Sequence, residues 1–365
     1  MYVMKTRTIL SFILFPILCL SCSKIDKENS DMEIAFSATS YSITTIDAKA
    51  DQGTGNTYLY ESLSDLQDKD KHGGYFNVKA YIHDHPDEHF TSATTVKYHT
   101  DTQQEPAWYI FNPSTNAFES RYWPKTYALD FLAFMPLQRP AAGSTQEITQ
   151  SIDPDAHISS AFSYDATAKS PVFSCVNLPL TKTGQASAKE FMYAWAPGQS
   201  YTSVNTGTDA NGKVNLEFKH AMAAVYIKIA GAHGGTILQE IGFKGIYNNG
   251  SFTVADEEWT PSGSRTDLII DTENQKIPDD IQIGHTYGPY LVMPQNHGNE
   301  VNLYIDYDWR EQTAPVSKPL GAVWECGKKY TYSLVLGDSA EDIMVDVSVE
   351  SWGNPIGGDH EIEVK

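Results

Sequence analysis

The sequence predicts an all-β protein made of two tandem β-sandwich domains, residues 32–200 and 201–365. Three observations carry this. Apolar and polar residues alternate with period two along much of the chain, which puts successive side chains on opposite faces of a strand. No stretch has the 3.6-residue periodicity of an amphipathic helix of three or more turns. Finally, 21 Tyr, 15 Phe and 7 Trp in 365 residues supply apolar bulk for more than one core, and a single core stops growing at about 250–300 residues.

The first segment reads as an address. Lys5 and Arg7 precede a dozen largely apolar residues, Ile9 to Leu20, a run too short to span about 30 Å of hydrocarbon. Leu18-Cys19-Leu20-Ser21-Cys22 then resembles a bacterial lipobox, so residues 1–21 are expected to be removed and Cys22 to carry acyl chains. Residues 22–31 are polar except for Ile25 and read as a tether.

Met32, Ile34, Phe36 and Ala38 alternate with Glu33, Ala35 and Ser37, the pattern of a strand with one buried face. Ser62 to Asp70 suits a short helix. Phe76, Val78, Ala80 and Ile82 alternate, and Trp108–Phe111 and Phe118–Trp123 flank Asn112-Pro113-Ser114-Thr115-Asn116, a hairpin signal. Leu129 to Met135 is apolar on both faces and belongs at the centre of a sheet. Leu137 to Ser170 is a long insertion rich in Ala, Ser and Thr, and Gln199 to Gly212 is the expected link between domains. Asn248-Asn249-Gly250 suits a tight turn with a positive φ. Val301 to Trp309, Lys329 to Leu336 and Ile343 to Val349 show the alternation most clearly.

With 46 acidic against 26 basic residues the chain has a formal net charge of −20, which repels phosphate backbones and anionic lipid headgroups and disfavours nucleic acid or a polybasic membrane contact as a partner. No P-loop, nucleophile elbow, zincin helix, dinucleotide-binding glycine pattern or Cys-x-x-Cys pair is present after the signal. No catalytic residue, metal site or cofactor is expected. The nearest approach to a metal set is His83, His85, Glu88 and His89 around Pro86, residue types that hairpin tips also collect. Asp209-Ala210-Asn211-Gly212 lacks the later ligands of a calcium loop, and Asp153-Pro154-Asp155 and Asp256-Glu257-Glu258 read as solvated acidic loops. Asp338-Ser339-Ala340 resembles a short O-glycosylation acceptor. Cys175 and Cys326 are expected to be free thiols.

A family resemblance runs through these segments. Phe76 to Tyr81, Tyr122-Trp123-Pro124 and Leu129 to Pro136 resemble the N-terminal domain of the fimbrillin (Mfa-like) family, and Phe191 to Ala194 resembles its strand before the interdomain link. Val214 to Val225 is similar to its first C-terminal strands. Leu291 to Gln295, Trp324 with Gly327, Tyr330-Thr331-Tyr332 and Val349 to Trp352 continue the match. The resemblance implies two transthyretin-like, Greek-key sandwiches in an outer-membrane lipoprotein precursor exposed at the cell surface. It implies a shaft, tip or anchor subunit of a type V pilus, joined to other subunits by strand exchange once a protease removes the first strand.

In that scheme Met32, Ile34, Phe36 and Ala38 form the exchangeable strand, and Ile362 and Val364 a short C-terminal donor. The family's processing arginine is missing. Lys49 is the basic residue in its place, so either the protease accepts lysine or the chain stays uncut and tethered. Further partners would be a host or bacterial surface protein or glycan. The rival reading is a glycan-binding lipoprotein of a nutrient-uptake system, with Trp108, Trp259 or Trp309 as sugar platforms.

Overall fold

The computed structural model describes residues 29–40, 66–68, 74–99, 107–206, 212–231, 235–308, 315–321, 323–337, 342–352 and 360–361. Strands dominate. The strands up to the first chain crossing are β1 (Asn29–Glu33), β2 (Ala35–Ser40), β3 (Tyr75–Ile82), β4 (His85–His99), β5 (Ala107–Asn112), β6 (Ala117–Phe118), β7 (Tyr122–Pro124), β8 (Leu129–Met135), β9 (Ser163–Asp165), β10 (Ser170–Cys175), β11 (Met192–Gln199) and β12 (Lys213–His220). Two short α-helices, Lys182–Ser187 and Tyr201–Asn205, interrupt them. Ser62 to Asp70 falls mostly outside the described residues, of which Leu66 and Gln67 are helical.

The first sheet has the order β2-β12-β11-β8-β3-β4-β5-β6, with an additional pairing of β2 to β5. It therefore curls until its ends meet and packs its inner face on itself, giving two layers from one continuous sheet. The seven residues of β8 are all buried, as its two-faced apolarity predicts. Leu129, Phe131, Ala133 and Met135 point into the enclosed core with Phe76, Val78, Trp108 and Trp123, while Leu132 and Phe134 join a second cluster on the outer face. Asn112 Oδ1 accepts from the Ser114 and Thr115 amides (2.9 and 3.3 Å) and Asn116 has φ 53°, the turn chemistry of the expected β5–β6 hairpin.

Lys213–His220, which the sequence reading places in the second half, pairs inside the first sheet, with Met192 and Tyr193 on one side and β2 on the other. The polar run before it ends in a cap on that sheet: Val204 of the short helix is buried in the enclosed core, and the Gly212 amide donates to Val204 O (3.0 Å).

The chain crosses over at Ala221-Met222 and continues as β13 (Ala223–Gly231), β14 (Ile237–Ile246), β15 (Asn249–Thr253), β16 (Glu258–Ser262), β17 (Thr266–Lys276), β18 (His285–Val292), β19 (Gln295–Asn296), β20 (Asn302–Asp308), β21 (Val316–Pro319), β22 (Val323–Trp324), β23 (Lys328–Leu336), β24 (Met344–Ser351) and β25 (His360–Glu361). The sheets β18-β13-β23-β24-β25 and β17-β14-β20-β21 face each other across a core that includes Val225, Ile227, Leu238, Ile241, Phe243, Leu303, Ile305, Tyr332 and Leu334. This second sandwich contains the three strands with the clearest alternation in the sequence.

A third sheet, β16-β15-β10-β9, joins the halves. Its register puts Val172 opposite Thr253 and Phe173 opposite Phe252, and the two phenylalanine rings meet Phe191, Tyr193 and Trp259 edge-on or tilted in a cluster drawn from both halves. Asn248-Asn249-Gly250 is accordingly no hairpin tip: β14 pairs with β17 and β20, and β15 turns away to β10. Gly250 is not among the positive-φ glycines; a Cβ there would lie 2.7 Å from Met293 Sδ and 2.8 Å from Thr260 O, so the glycine serves close backbone approach.

Candidate functional site: the slot of the first strand

Ile34, Phe36 and Ala38 enter the enclosed core of the first sheet and are buried, as their alternation predicts. Met32, expected on the same face, is 42% exposed. The strand breaks at Ile34. β1 lies on β7, with Glu33 opposite Tyr122 and Asn29 opposite Pro124 around an irregularity, and the Ile34 amide donates to Arg121 O (2.6 Å). This break shifts the alternation, so the inward set is Ile34, Phe36 and Ala38.

β2 runs parallel to β12 over six rungs, from Lys213↔Ala35 to Phe218↔Ser40. On its other side it meets β5 antiparallel at a single rung, Phe36↔Trp108. The Phe36 ring packs edge-on to Phe76 and Phe131, with centroids 6.3 and 5.6 Å away. A small apolar void of about 10 Å³ remains beside Ile34 and Phe36, bounded by Val78, Ala80, Phe90, Ile110 and Phe131. The slot is thus lined by aromatic and aliphatic side chains below and by main-chain donors and acceptors of β12 and β5 at its sides. Taking β2 out would leave both unpaired, the condition under which another strand adds to a sheet.

The remaining sequence-predicted sites fall elsewhere. Cys22, Lys49, Ile362 and Val364 lie outside the described residues, although β25 just before Ile362 pairs with β24 through Ser348↔Glu361 and Val349↔His360. Among the described residues no group of three or more His, Cys, Asp or Glu is placed to hold a metal ion. His83 Nδ1 contacts Asp130 Oδ1 (2.7 Å), and His89 packs on the Tyr81 ring with centroids 5.1 Å apart. Asp153 and Asp155 are taken up by Lys189 Nζ (2.6 and 3.6 Å), and Glu257 by Lys219. The calcium-like run at 209–212 lies outside the described residues except for Gly212, and the O-glycosylation-like triplet at 338–340 lies outside them.

Cys175 and Cys326 are free. Burial pushes both thiols up to about 12, so neither is an appreciable thiolate at neutral pH. Of the three tryptophans offered as sugar platforms, Trp108 and Trp259 are 2% and 6% exposed core residues, and Trp309 lies outside the described residues. Sequence reasoning missed a buried cluster between the halves, where His220 at the end of β12 contacts Glu190 and stacks on Trp352 at 4.3 Å and 12°. No local pattern links residues 190, 220 and 352.

The sequence model of the fimbrillin-like family matches residues 75–352. No curated protein matches the chain. Among solved structures, a fimbrial protein from Bacteroides vulgatus superposes with a TM-score of 0.55 at 14% identity, covering 87% of this chain and 99% of its own. A fimbrial assembly protein from Parabacteroides distasonis gives 0.42 at 10% identity, covering 88% and 96%. The tip fimbrial protein Mfa3 from Porphyromonas gingivalis, truncated at its C-terminus, gives 0.36 at 11% identity, covering 76% and 94%. The fold comparison rests on the first of these. With most of its length matched by the family model and its strands arranged as above, the chain belongs to the fimbrillin-like family.

Proposed function

We propose that the protein is a structural, non-catalytic subunit of a surface fimbrium, made as an outer-membrane lipoprotein acylated on Cys22 and assembled with other subunits by strand exchange into the slot that β2 fills. One observation carries the reading. β2 closes the first sheet, held by six rungs to β12 and one to β5, with Phe36 as the main apolar contact. Cleavage after Lys49 would free residues 22–49 and leave an unpaired edge over an apolar groove, which a strand of a neighbouring subunit could occupy by β-augmentation. A segment ending in Ile362 and Val364 is one donor of that kind; Glu361, just before them, already pairs as an edge strand.

The test uses protein extracted from its native cell surface and run on a denaturing gel with and without heating. A heat-sensitive ladder of multiples supports assembly by strand exchange. A single monomer band, below the 40.5 kDa of the full chain, under both conditions contradicts it. The glycan-binding rival is disfavoured by the burial of Trp108 and Trp259.

A further inference from the structure

The two ends of the first sheet are not equivalent. β2 and β12 run side by side in the same direction, and β12 passes through only Ala221 and Met222 into the second half. The far end of the same sheet holds the start of β12, the Ile82↔Leu129 and Gln199↔Leu129 rungs and the helix Tyr201–Asn205. The chain enters at that far end, because β1 begins with Asn29 opposite Pro124. Eight residues of β12, about 26 Å of strand, separate this entry pole from the crossover.

Only residues 23–28 stand between Cys22 and Asn29, which are therefore seven residue steps apart. Seven residues reach at most about 25 Å when fully extended. An acyl group on Cys22 therefore holds the entry pole within one tether length of the lipid.

The surface of that pole suits such a neighbour. Pro124 to Ala128 and Ser200 to Thr202 border an open cleft of about 490 Å³, with an exposed lysine, Lys125, and Tyr201, 38% exposed, on its walls. Tyr122 and Met32, 41% and 42% exposed, lie on the adjoining flank where β7 meets β1. Tyrosines place an apolar ring and a polar hydroxyl at a membrane interface, and lysine is drawn to anionic headgroups. The second half carries an acidic rung. Glu240 there stands between Asp271 and Asp306 on its two neighbouring strands, with Asp308 two residues beyond. Like charges in such a rung repel an anionic surface as well as each other.

The geometry points to the entry pole, with Lys125 and Tyr201 at its cleft, as the surface that rests on the lipid headgroups of an anionic membrane, so that the anchored subunit stands upright with its second half outermost. This inference rests on acylation of Cys22. The crossover lies one strand length above the pole, and the second half follows it in the chain.

Energy transfer in vesicles tests the orientation. The full acylated chain, in a Cys326→Ser background, is reconstituted in phosphatidylethanolamine and phosphatidylglycerol vesicles containing a headgroup acceptor dye. The donor is attached through Thr126→Cys, an exposed residue of the same cleft at the pole, or through Met344→Cys at the start of β24, a residue 64% exposed. Several-fold stronger transfer from position 126 than from 344 is expected, and Lys125→Ala or Tyr201→Ser should narrow the difference. Equal transfer from both positions, or stronger transfer from 344, overturns the pole assignment while leaving the anchor intact. Failure of the chain to float with vesicles, with Cys22→Ser behaving identically, overturns the anchor and the orientation with it.

Discussion

Phe36 on β2 stands opposite Trp108 on β5, and this pair is the only rung through which the first sheet closes on itself among the described residues. Phe36 is 1% exposed and Trp108 2%. The closure thus depends on one aromatic side chain far more than on its hydrogen bonds to β5. Phe36→Ala should cost about 3–5 kcal/mol, the usual range for a buried phenylalanine, because Phe76 and Phe131 cannot collapse fully into the space. Chemical denaturation of the signal-free chain measures this. Hydrogen exchange should quicken in β2 and at Lys213–Phe218 before it does in the second sandwich.

Gln185 is the tie between halves most exposed to a single substitution. Its Nε2 donates to Leu291 O (2.9 Å) and Pro179 O (2.6 Å), and its Oε1 accepts from the Leu291 amide (2.8 Å), all with the side chain 1% exposed. Gln185→Ala leaves buried main-chain groups without partners and should destabilise by about 1–3 kcal/mol. The denaturation midpoint and the exchange rate of the Leu291 amide report it.

Gly250→Ala should be costly although the residue avoids the left-handed region. A Cβ would meet Thr260 O at 2.8 Å and Met293 Sδ at 2.7 Å, so the β15–β16 rung must open. A loss of about 1–3 kcal/mol is expected from the overpacking. Met293→Ala in the same chain relieves only the sulfur contact, and thermal unfolding of the single and double variants separates the two clashes.

His297 makes stability depend on pH. Its ring is fully buried, edge-on to Trp324 at 4.4 Å, and neither nitrogen has a hydrogen-bond partner among the described residues. Burial, followed by the nearby Arg265 charge, lowers it to about 4, against about 6.5 in the unfolded chain. Between those values the unfolded state binds more protons than the folded one. The stability from this site is therefore present above pH 6.5 and lost as pH falls toward 4, by at most about 3 kcal/mol. Denaturation from pH 7.5 to 4.5 should show the slope, and His297→Leu should flatten it without loss at pH 7.5.

Legibility in the sequence followed the range of the interactions. β3, β8, β20, β23 and β24 could be read because side-chain alternation is local, and Asn112 with Asn116 announced the β5–β6 turn. The sheet joining the halves could not. β10 and β15 are short, and the Phe173↔Phe252 rung connects segments with no common pattern. The same cause placed Lys213–His220 with the wrong neighbours: a polar stretch before a strand reads as a linker, whereas Val204 within it seals the first core. In the slot, Ile34, Phe36 and Ala38 followed from their alternation, but the break at Ile34 that turns Met32 outward depends on the Ile34 contact with Arg121, which period two cannot register.

The exchangeability of the first strand is tested most directly by refilling its slot. Chain beginning at residue 50 is mixed with a synthetic peptide of residues 32–46, wild type or carrying Phe36→Asp, and followed by fluorescence anisotropy and size exclusion. Saturable binding of the wild-type peptide and little binding of the variant are predicted, with oligomers forming when no peptide is added. A trimmed chain that stays monomeric and takes up neither peptide would contradict the account.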